Sequence, residues 1–396
     1  MKRTQRICGG NIVTPDGVIR GGTLTIEDDA IAEVRSGSGG PAQPGDIDAS
    51  GLWVLPGMID SHSDAIEHEI FPRPTSCLPM DISFYELERK LAGQGVTTIY
   101  HSFSLWGDNR SNEARKNASV REYVRNIREL KNEKHMLRHN VHVRFEMTNL
   151  PGAAYVEAFL ANGEIDQLSF MDHTPGQGQY RQPDVQVKYI MEKQNKTEEE
   201  VLRQLEERKK FPKVDPAELM RLAALAHAQG IPLASHDDDT IEKLDVVGEW
   251  GATISEFPIT MEVAAEAKRR GLHVVMGAPN VLLGRSHSNN LSALEAIQAG
   301  VVDMLCSDYY PPSLLQSVFL LHGLGYDLPY AVNLVSRNPA IALGIEGVTG
   351  SLEAGKAADV LLVGLHRDRP MTEKVFVGGN LVCQMAYRQG MAVSSK

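Results

Sequence analysis

His62-Ser63-Asp64 is the first place in this chain where residue type and spacing point to chemistry. It follows the apolar run LPGMID and reads as the end of a strand. Residues i and i+2 of a strand point the same way, so His62 and Asp64 would offer nitrogen and oxygen to one cation. An ordinary polar strand end has the same pattern, and the motif alone does not choose. VHVRFEM at 141–147 narrows the choice, because Val141, Val143 and Phe145 alternate with His142, Arg144 and Glu146. One face suits an apolar layer, and the other carries three ionisable groups into an interior. Buried charges are costly unless matched. They either neutralise one another, as an Arg144–Glu146 pair would, or meet a metal ion or an anion.

Three more runs end the same way, with His173 closing QLSFMDH, His236 near the end of IPLASHD, and Asp308 closing VDMLCSD. A lone histidine is usually a satisfied polar residue, but six ionisable strand ends are a coincidence that needs a cause. His62, Asp64, Glu146, His173, His236 and Asp308 therefore form a candidate metal set. Imidazole with carboxylate suits one or two divalent transition metals, zinc first, with iron or manganese as alternatives, better than calcium. Metal-assisted hydrolysis is the chemistry such a set supports. A second group would suit an anion: Arg73 in FPRP, and Arg285, Ser286, His287 and Asn289 in GAPNVLLGRSHSNN. Guanidinium, hydroxyl and backbone N–H groups hold phosphate oxygens, although this loop lacks Walker spacing. Among Asp237, Asp238 and Asp239, one suits a helix N-cap and another a partner behind the site.

Eight apolar runs must position these groups: WVLPGMIDSH, VTTIYHSF, VHVRFEM, QLSFMDH, IPLASHD, ATISEFP, LHVVMGAP and VDMLCSD. Charged, helix-like stretches separate them. Eight βα units over roughly 290 residues predict an α/β fold, a (β/α)8 TIM barrel, with its site at the C-terminal strand ends. Residues 1–55 and 346–396 read instead as short strands with turns such as Pro15-Asp16-Gly17. The expectation is a small composite β-sandwich domain from both termini around a barrel spanning 56–345. The charged stretch 181–229 reads as an excursion after the fourth strand, a solvated helical pair.

The chain has 396 residues, 42% of them hydrophobic and 23% charged, enough for a sizeable core. A formal net charge of −11 without a basic stripe argues against a nucleic-acid partner, though a small polyanionic substrate fits a locally positive site. No apolar run approaches the roughly 20 residues of a membrane helix, so no membrane partner is expected. The basic N-terminus has no apolar segment behind it, so no secretory signal is expected. Cys8, Cys77, Cys306 and Cys383 are scattered, which fits a reducing cytoplasm. A homo-oligomer is compatible with these features.

LPGMIDSHSD, followed in order by FPRP, HVRFEM, MDHTPGQ, ASHDD, SEFP, MGAPN, SHSNN and SDYYP, resembles the amidohydrolase superfamily. Within it, the chain is similar to the ribosyl-triphosphate diphosphatases of carbon–phosphorus lyase (phosphonate) metabolism, from about Leu55 to Arg337-Asn338-Pro339. The resemblance implies a barrel with a composite β-domain. It implies hydrolysis of the α,β-phosphoanhydride of alpha-D-ribose 1-methylphosphonate 5-triphosphate, with release of pyrophosphate. His62, Asp64, Glu146, His236 and Asp308 match superfamily ligand positions, and His173 lies in a segment characteristic of the narrower group. In that reading Asp308 is the catalytic base, and Arg73, Arg285, Ser286 and His287 hold the polyphosphate. The usual histidine after the sixth strand is replaced by Glu256 and Phe257. Gly178 stands where a basic residue is common, Arg285 where glycine is common, and Thr75-Ser76-Cys77 departs from the usual run. Hydrolysis of a C–N bond is the rival in the same fold. A non-catalytic scaffold of a lyase assembly is the rival of another class, disfavoured by the intact set of buried charges.

Overall fold

A computed structural model describes residues 3–37, 43–73, 75–108, 112–178, 187, 190–191, 196–286 and 290–387. Among these, sixteen strands numbered in chain order form two sheets. β1 (Thr4–Thr14), β2 (Gly17–Glu27), β3 (Ala30–Arg35), β4 (Ile47–Asp48) and β5 (Trp53–Pro56) precede the barrel. The barrel strands are β6 (Met58–Ser63), β7 (Val96–Leu105), β8 (Arg138–Glu146), β9 (Gln167–Met171), β10 (Leu233–His236), β11 (Ile254–Glu256), β12 (His273–Gly277) and β13 (Met304–Cys306). β14 (Val360–His366), β15 (Arg369–Val377) and β16 (Asn380–Gln384) follow it.

β6 to β13 pair in sequence order, all parallel, as the eight apolar runs require. The barrel closes through a parallel bridge between Ser63 and Asp308. Asp308 N–H donates to the His62 carbonyl at 2.9 Å, and Asp64 N–H donates to the Asp308 carbonyl at 2.6 Å. Asp60 reinforces this seam by accepting from the Ser307 N–H at 2.9 Å and the Ser307 hydroxyl at 2.5 Å. Strand alternation sorts the layers. On β8, Val141, Val143 and Phe145 join the main core, while His142, Arg144 and Glu146 point the other way and are also buried. Below them, Ile59, Tyr100, Ala234, Ile254, Val275, Met304 and Cys306 fill the barrel's apolar floor.

The second sheet has the order β16-β15-β14-β5-β1-β2-β3, with β4 beside β1. Both chain ends build it, and β14 pairs antiparallel with β5 through Val360–Pro56 and Val363–Trp53. Both faces of β14 and β15 are covered. Leu361, Val363 and Val375 join the main core, while Val360, Leu362 and Phe376 pack a separate core with Ile7, Ile12, Leu24 and Ile26. Only Gly57 separates β5 from β6. A Cβ at Gly57 would come within 2.2 Å of the Thr97 hydroxyl, so any larger residue would displace β7.

The region 181–229 differs from the expected solvated pair. One helix there, Glu198–Arg208, is closed by a capping box between Thr197 and Glu200. It packs Val201 and Leu205 in a small cluster with Val187 and Ile190. Another helix, Pro216–Ala228, is a barrel helix, with Leu219, Leu222, Ala223 and Ala226 in the main core. Its charged residues mark only its outer face. The portion 179–186 lies outside the described residues.

Candidate metal centre

Every candidate strand-end residue is found at one mouth of the barrel, but the groups meet in an arrangement the spacing alone does not reveal. β6 ends at Ser63, and Asp64 is the cap residue of the helix Ala65–Ile70, with φ −85° and ψ 6°. His62 and Asp64 therefore do not share extended geometry. The His62 ring points into the barrel. The Asp64 carboxylate lies between Arg144, at 3.1 Å, and Arg115, at 3.5 Å. Burial opposes its ionisation, but the two guanidiniums hold its pKa below the usual range.

Two groups of three are spaced to hold a cation: His62 with His142 and Glu256, and His173 with His236 and Asp237. All six are buried. Glu256 ends β11 and lies 3.0 Å from His62 Nδ1 and 3.3 Å from His236 Nδ1. The His62 and His236 rings stack 5.4 Å apart. Burial disfavours charge on Glu256, yet His62, His142 and the imidazole hydrogen bonds keep its carboxyl well below its ordinary range. Burial drives His142 down to about 3, which leaves that ring neutral. In the second group, His173 Nε2 and His236 Nε2 lie 3.7 and 3.6 Å from Asp237 Oδ2. Arg144 donates to His236 Nε2 at 2.9 Å, so His236 is neutral there and accepts. Burial, aided by Arg144, lowers its pKa.

Asp64, Glu146 and Asp308 stand outside both groups. Glu146 Oε2 lies 2.8 Å from His173 Nδ1, and Glu146 also accepts from the Thr148 hydroxyl at 3.1 Å. Asp308 follows β13 beside His62 and is half-buried. It adopts φ +53°, as Asp237 adopts +54° and Phe257 +56°. Left-handed backbone is uncommon outside glycine, and Asp tolerates it better than most residues. Three such residues at the ends of β10, β11 and β13 mark a strained rim, a feature that clusters at functional sites. Phe257 sets its ring edge-on to His62 at 5.1 Å and His236 at 5.2 Å.

Three groups escape reading from sequence as members of either cluster: His142, Glu256 and Asp237. The first two carried a signal, one in the β8 alternation and the other as the carboxylate standing where a histidine is usual. The three aspartates after His236 divide their work. Asp238 accepts from the Ser235 and Ser255 hydroxyls at 2.5 Å each, and Asp239 accepts from the Gly178 N–H at 2.9 Å. Asp237 is left for the cluster, while Thr240 caps the helix Ile241–Glu249. Gly178 has φ +58°, and a Cβ there would come within 3.0 Å of Asp237 Cβ, so the position suits glycine. Arg73 and Arg285 are exposed, Ser286 is half-buried, and His287 lies outside the described residues.

The residues 53–382 match the profile of the amidohydrolase family. The chain belongs to that family. This amidohydrolase is 33% identical over 329 residues to the alpha-D-ribose 1-methylphosphonate 5-triphosphate diphosphatase of Escherichia coli (strain K12), covering 82% of this chain and 86% of the relative. It is 30% identical over 164 residues to the imidazolonepropionase of Maricaulis maris (strain MCS10), covering 38% of this chain and 40% of that one. Its fold is similar to that of molinate hydrolase, with a TM-score of 0.65 at 14% identity over 100% of this chain and 99% of the other. The protein is a metal-dependent hydrolase of the amidohydrolase superfamily. A divalent cation fits the residues present. His62 Nε2 and Asp237 Oδ2 are buried and have no hydrogen-bond partner among the described residues. Leaving such an atom unmatched costs about 1–3 kcal/mol, and a cation is what both would accept. Among the described residues no helix is long and apolar enough to cross a membrane.

Proposed function

We propose that this hydrolase cleaves the α,β-phosphoanhydride of a ribosyl 5-triphosphate, alpha-D-ribose 1-methylphosphonate 5-triphosphate, releasing pyrophosphate. The observation that carries this reading is the 33% identity to the diphosphatase, which extends over 86% of that relative. Cationic groups at the mouth favour a polyanion over a neutral amide. Arg144 and Arg115 flank Asp64, Lys213 pairs with Asp172 at 2.6 Å, and Lys243 donates to the His236 carbonyl at 2.7 Å.

In this reading His62, His173 and His236 would hold one or two divalent cations, zinc first among them, together with Asp237, within 3.7 Å of both His173 and His236, and with Asp64 and Asp308. When bound there, a divalent cation would supply Lewis acidity toward a phosphoryl oxygen and lower the pKa of water near it. Asp308 takes the proton of the attacking water. Glu146 and Glu256 hold the imidazoles. Arg73, Arg285, Ser286 and His287 bind the polyphosphate and balance charge on the leaving pyrophosphate.

The direct test is incubation of metal-loaded protein with this triphosphate in ¹⁸O-water. The expected products are pyrophosphate and a ribosyl 5-phosphate carrying the ¹⁸O. Release of inorganic phosphate, or turnover confined to C–N substrates, would reject the assignment. Arg285 provides a second check. It follows the helix Ala278–Leu283 above β12, and in this reading it replaces the cation missing at Gly178. A charge-assisted phosphate contact is worth about tenfold or more in affinity. Arg285→Ala is therefore expected to raise KM for the triphosphate by about that factor with kcat little changed, if the contact is equal in ground and transition states. Unchanged kinetic constants would remove Arg285 from the phosphate site.

A further inference from the structure

We infer that Glu256 is a positioning residue shared by two metal-binding histidines, His62 and His236, and is not itself a ligand. This rests on the metal-hydrolase reading and is independent of which substrate is cleaved. Glu256 Oε1 accepts from His62 Nδ1–H at 3.0 Å and from the Gln167 amide at 3.3 Å. Its Oε2 accepts from the Ser169 hydroxyl at 2.8 Å and from His236 Nδ1–H at 3.3 Å. A carboxylate has about four lone-pair sites, and four donors fill them.

His142, the third member of that group, is spent as well. Ser63 N–H donates to Ser102 Oγ at 3.1 Å, the Ser102 hydroxyl meets His142 Nδ1 at 3.1 Å, and His142 Nε2 meets Ser169 Oγ. Since Ser169 gives its proton to Glu256, the chain runs in one direction: Ser63 N–H, Ser102 O–H, His142 Nε2–H, Ser169 O–H, each pointing toward the carboxylate. The other nitrogens of the two shared rings are not tied to Glu256. His62 Nε2 is buried without a hydrogen-bond partner among the described residues, and His236 Nε2, 3.6 Å from Asp237 Oδ2, accepts from Arg144 at 2.9 Å, a contact that a cation bound there would replace. Glu146 stands behind His173 Nδ1 at 2.8 Å in the same manner. A carboxylate on one ring nitrogen fixes the tautomer and aims the other at a metal. Here one carboxylate does so for rings on β6 and β10, which it holds nearly parallel, at 14°.

The experiment uses the full-length protein loaded with zinc and labelled with ¹⁵N-histidine, read by long-range ¹H–¹⁵N spectra. In the wild type, His62 and His236 are expected with Nδ1 protonated and Nε2 on zinc. Glu256→Gln places an amide NH₂ against one of the two Nδ1–H groups. It is expected to mix the tautomers and to weaken zinc binding about 10–100-fold, with the zinc count at saturation unchanged. Zinc on Nδ1 of either histidine would overturn the inference. So would unchanged tautomers and affinity in the variant, or loss of one zinc per chain with tautomers intact. If Glu256→Gln does not fold, the wild-type spectrum still decides. Because zinc alone is the probe, failure of the triphosphate assay leaves this outcome readable.

Discussion

His236→Ala is expected to lose its metal and, with it, essentially all turnover. The imidazole ends β10; its Nδ1 donates to Glu256, its Nε2 accepts from Arg144, and Asp237 Oδ2 lies 3.6 Å from that nitrogen. Alanine removes a nitrogen from the face shared with His173 and Asp237. It also leaves the Arg144 guanidinium closer to an emptied centre, where its charge opposes a cation. Loss of a partner behind a ligand typically costs 10–100-fold in metal affinity, and loss of a ligand is expected to exceed the upper end, about 100-fold. Metal analysis after gel filtration, with circular dichroism to confirm folding, checks this. A folded His236→Ala protein with full metal content would remove His236 from the ligand set.

The second large effect is expected at Asp308, where function and metal content should separate. Asp308→Asn keeps the left-handed backbone at φ +53°, because Asn tolerates that region as Asp does. The backbone bonds that close the barrel, Asp308 N–H to His62 and Asp64 N–H to Asp308, need no side chain. An amide cannot accept a proton near neutral pH, so kcat is expected to fall about 10²–10⁴-fold, the usual worth of a general base, while the metal is retained. Normal kcat in a metal-replete Asp308→Asn protein would assign the proton transfer elsewhere.

Much of the scaffold is legible from sequence because the barrel strands are short apolar runs bounded by charged helices, a contrast that survives without tertiary information. β8 is the clearest case: its alternation sorts Val141, Val143 and Phe145 from His142, Arg144 and Glu146 before any contact is known. Asp64 shows the limit. Strand periodicity assumes that the strand continues, and here the chain turns into a helix one residue earlier. Glu256 shows a second limit. β11 is three residues long, Ile254–Glu256, too short for periodicity to assign faces. The four donors that surround its carboxylate come from β6, β9 and β10, so only closure of the barrel brings them together. The aspartate triplet is a third. Nothing in Asp237-Asp238-Asp239 ranks one above another, and it is the backbone turn that aims Asp237 at the histidines while Asp238 drops onto two serines.

The seam between the two sheets bears on the order in which the molecule is made. β5 runs through Gly57 directly into β6, which carries His62, and the neighbour that completes the hydrogen bonding of β5 is β14. During synthesis, β6 and the strands through β13 emerge while β5 still lacks that partner. β1 already pairs the other edge of β5, so the seat of the first barrel strand is held from one side until β14 is free to add the second. Ribosome-bound chains halted before residue 360 should hold a barrel whose first strand frays at its base and exchanges its amide hydrogens early. A release point beyond β14 should suppress that fraying and bring metal retention with it.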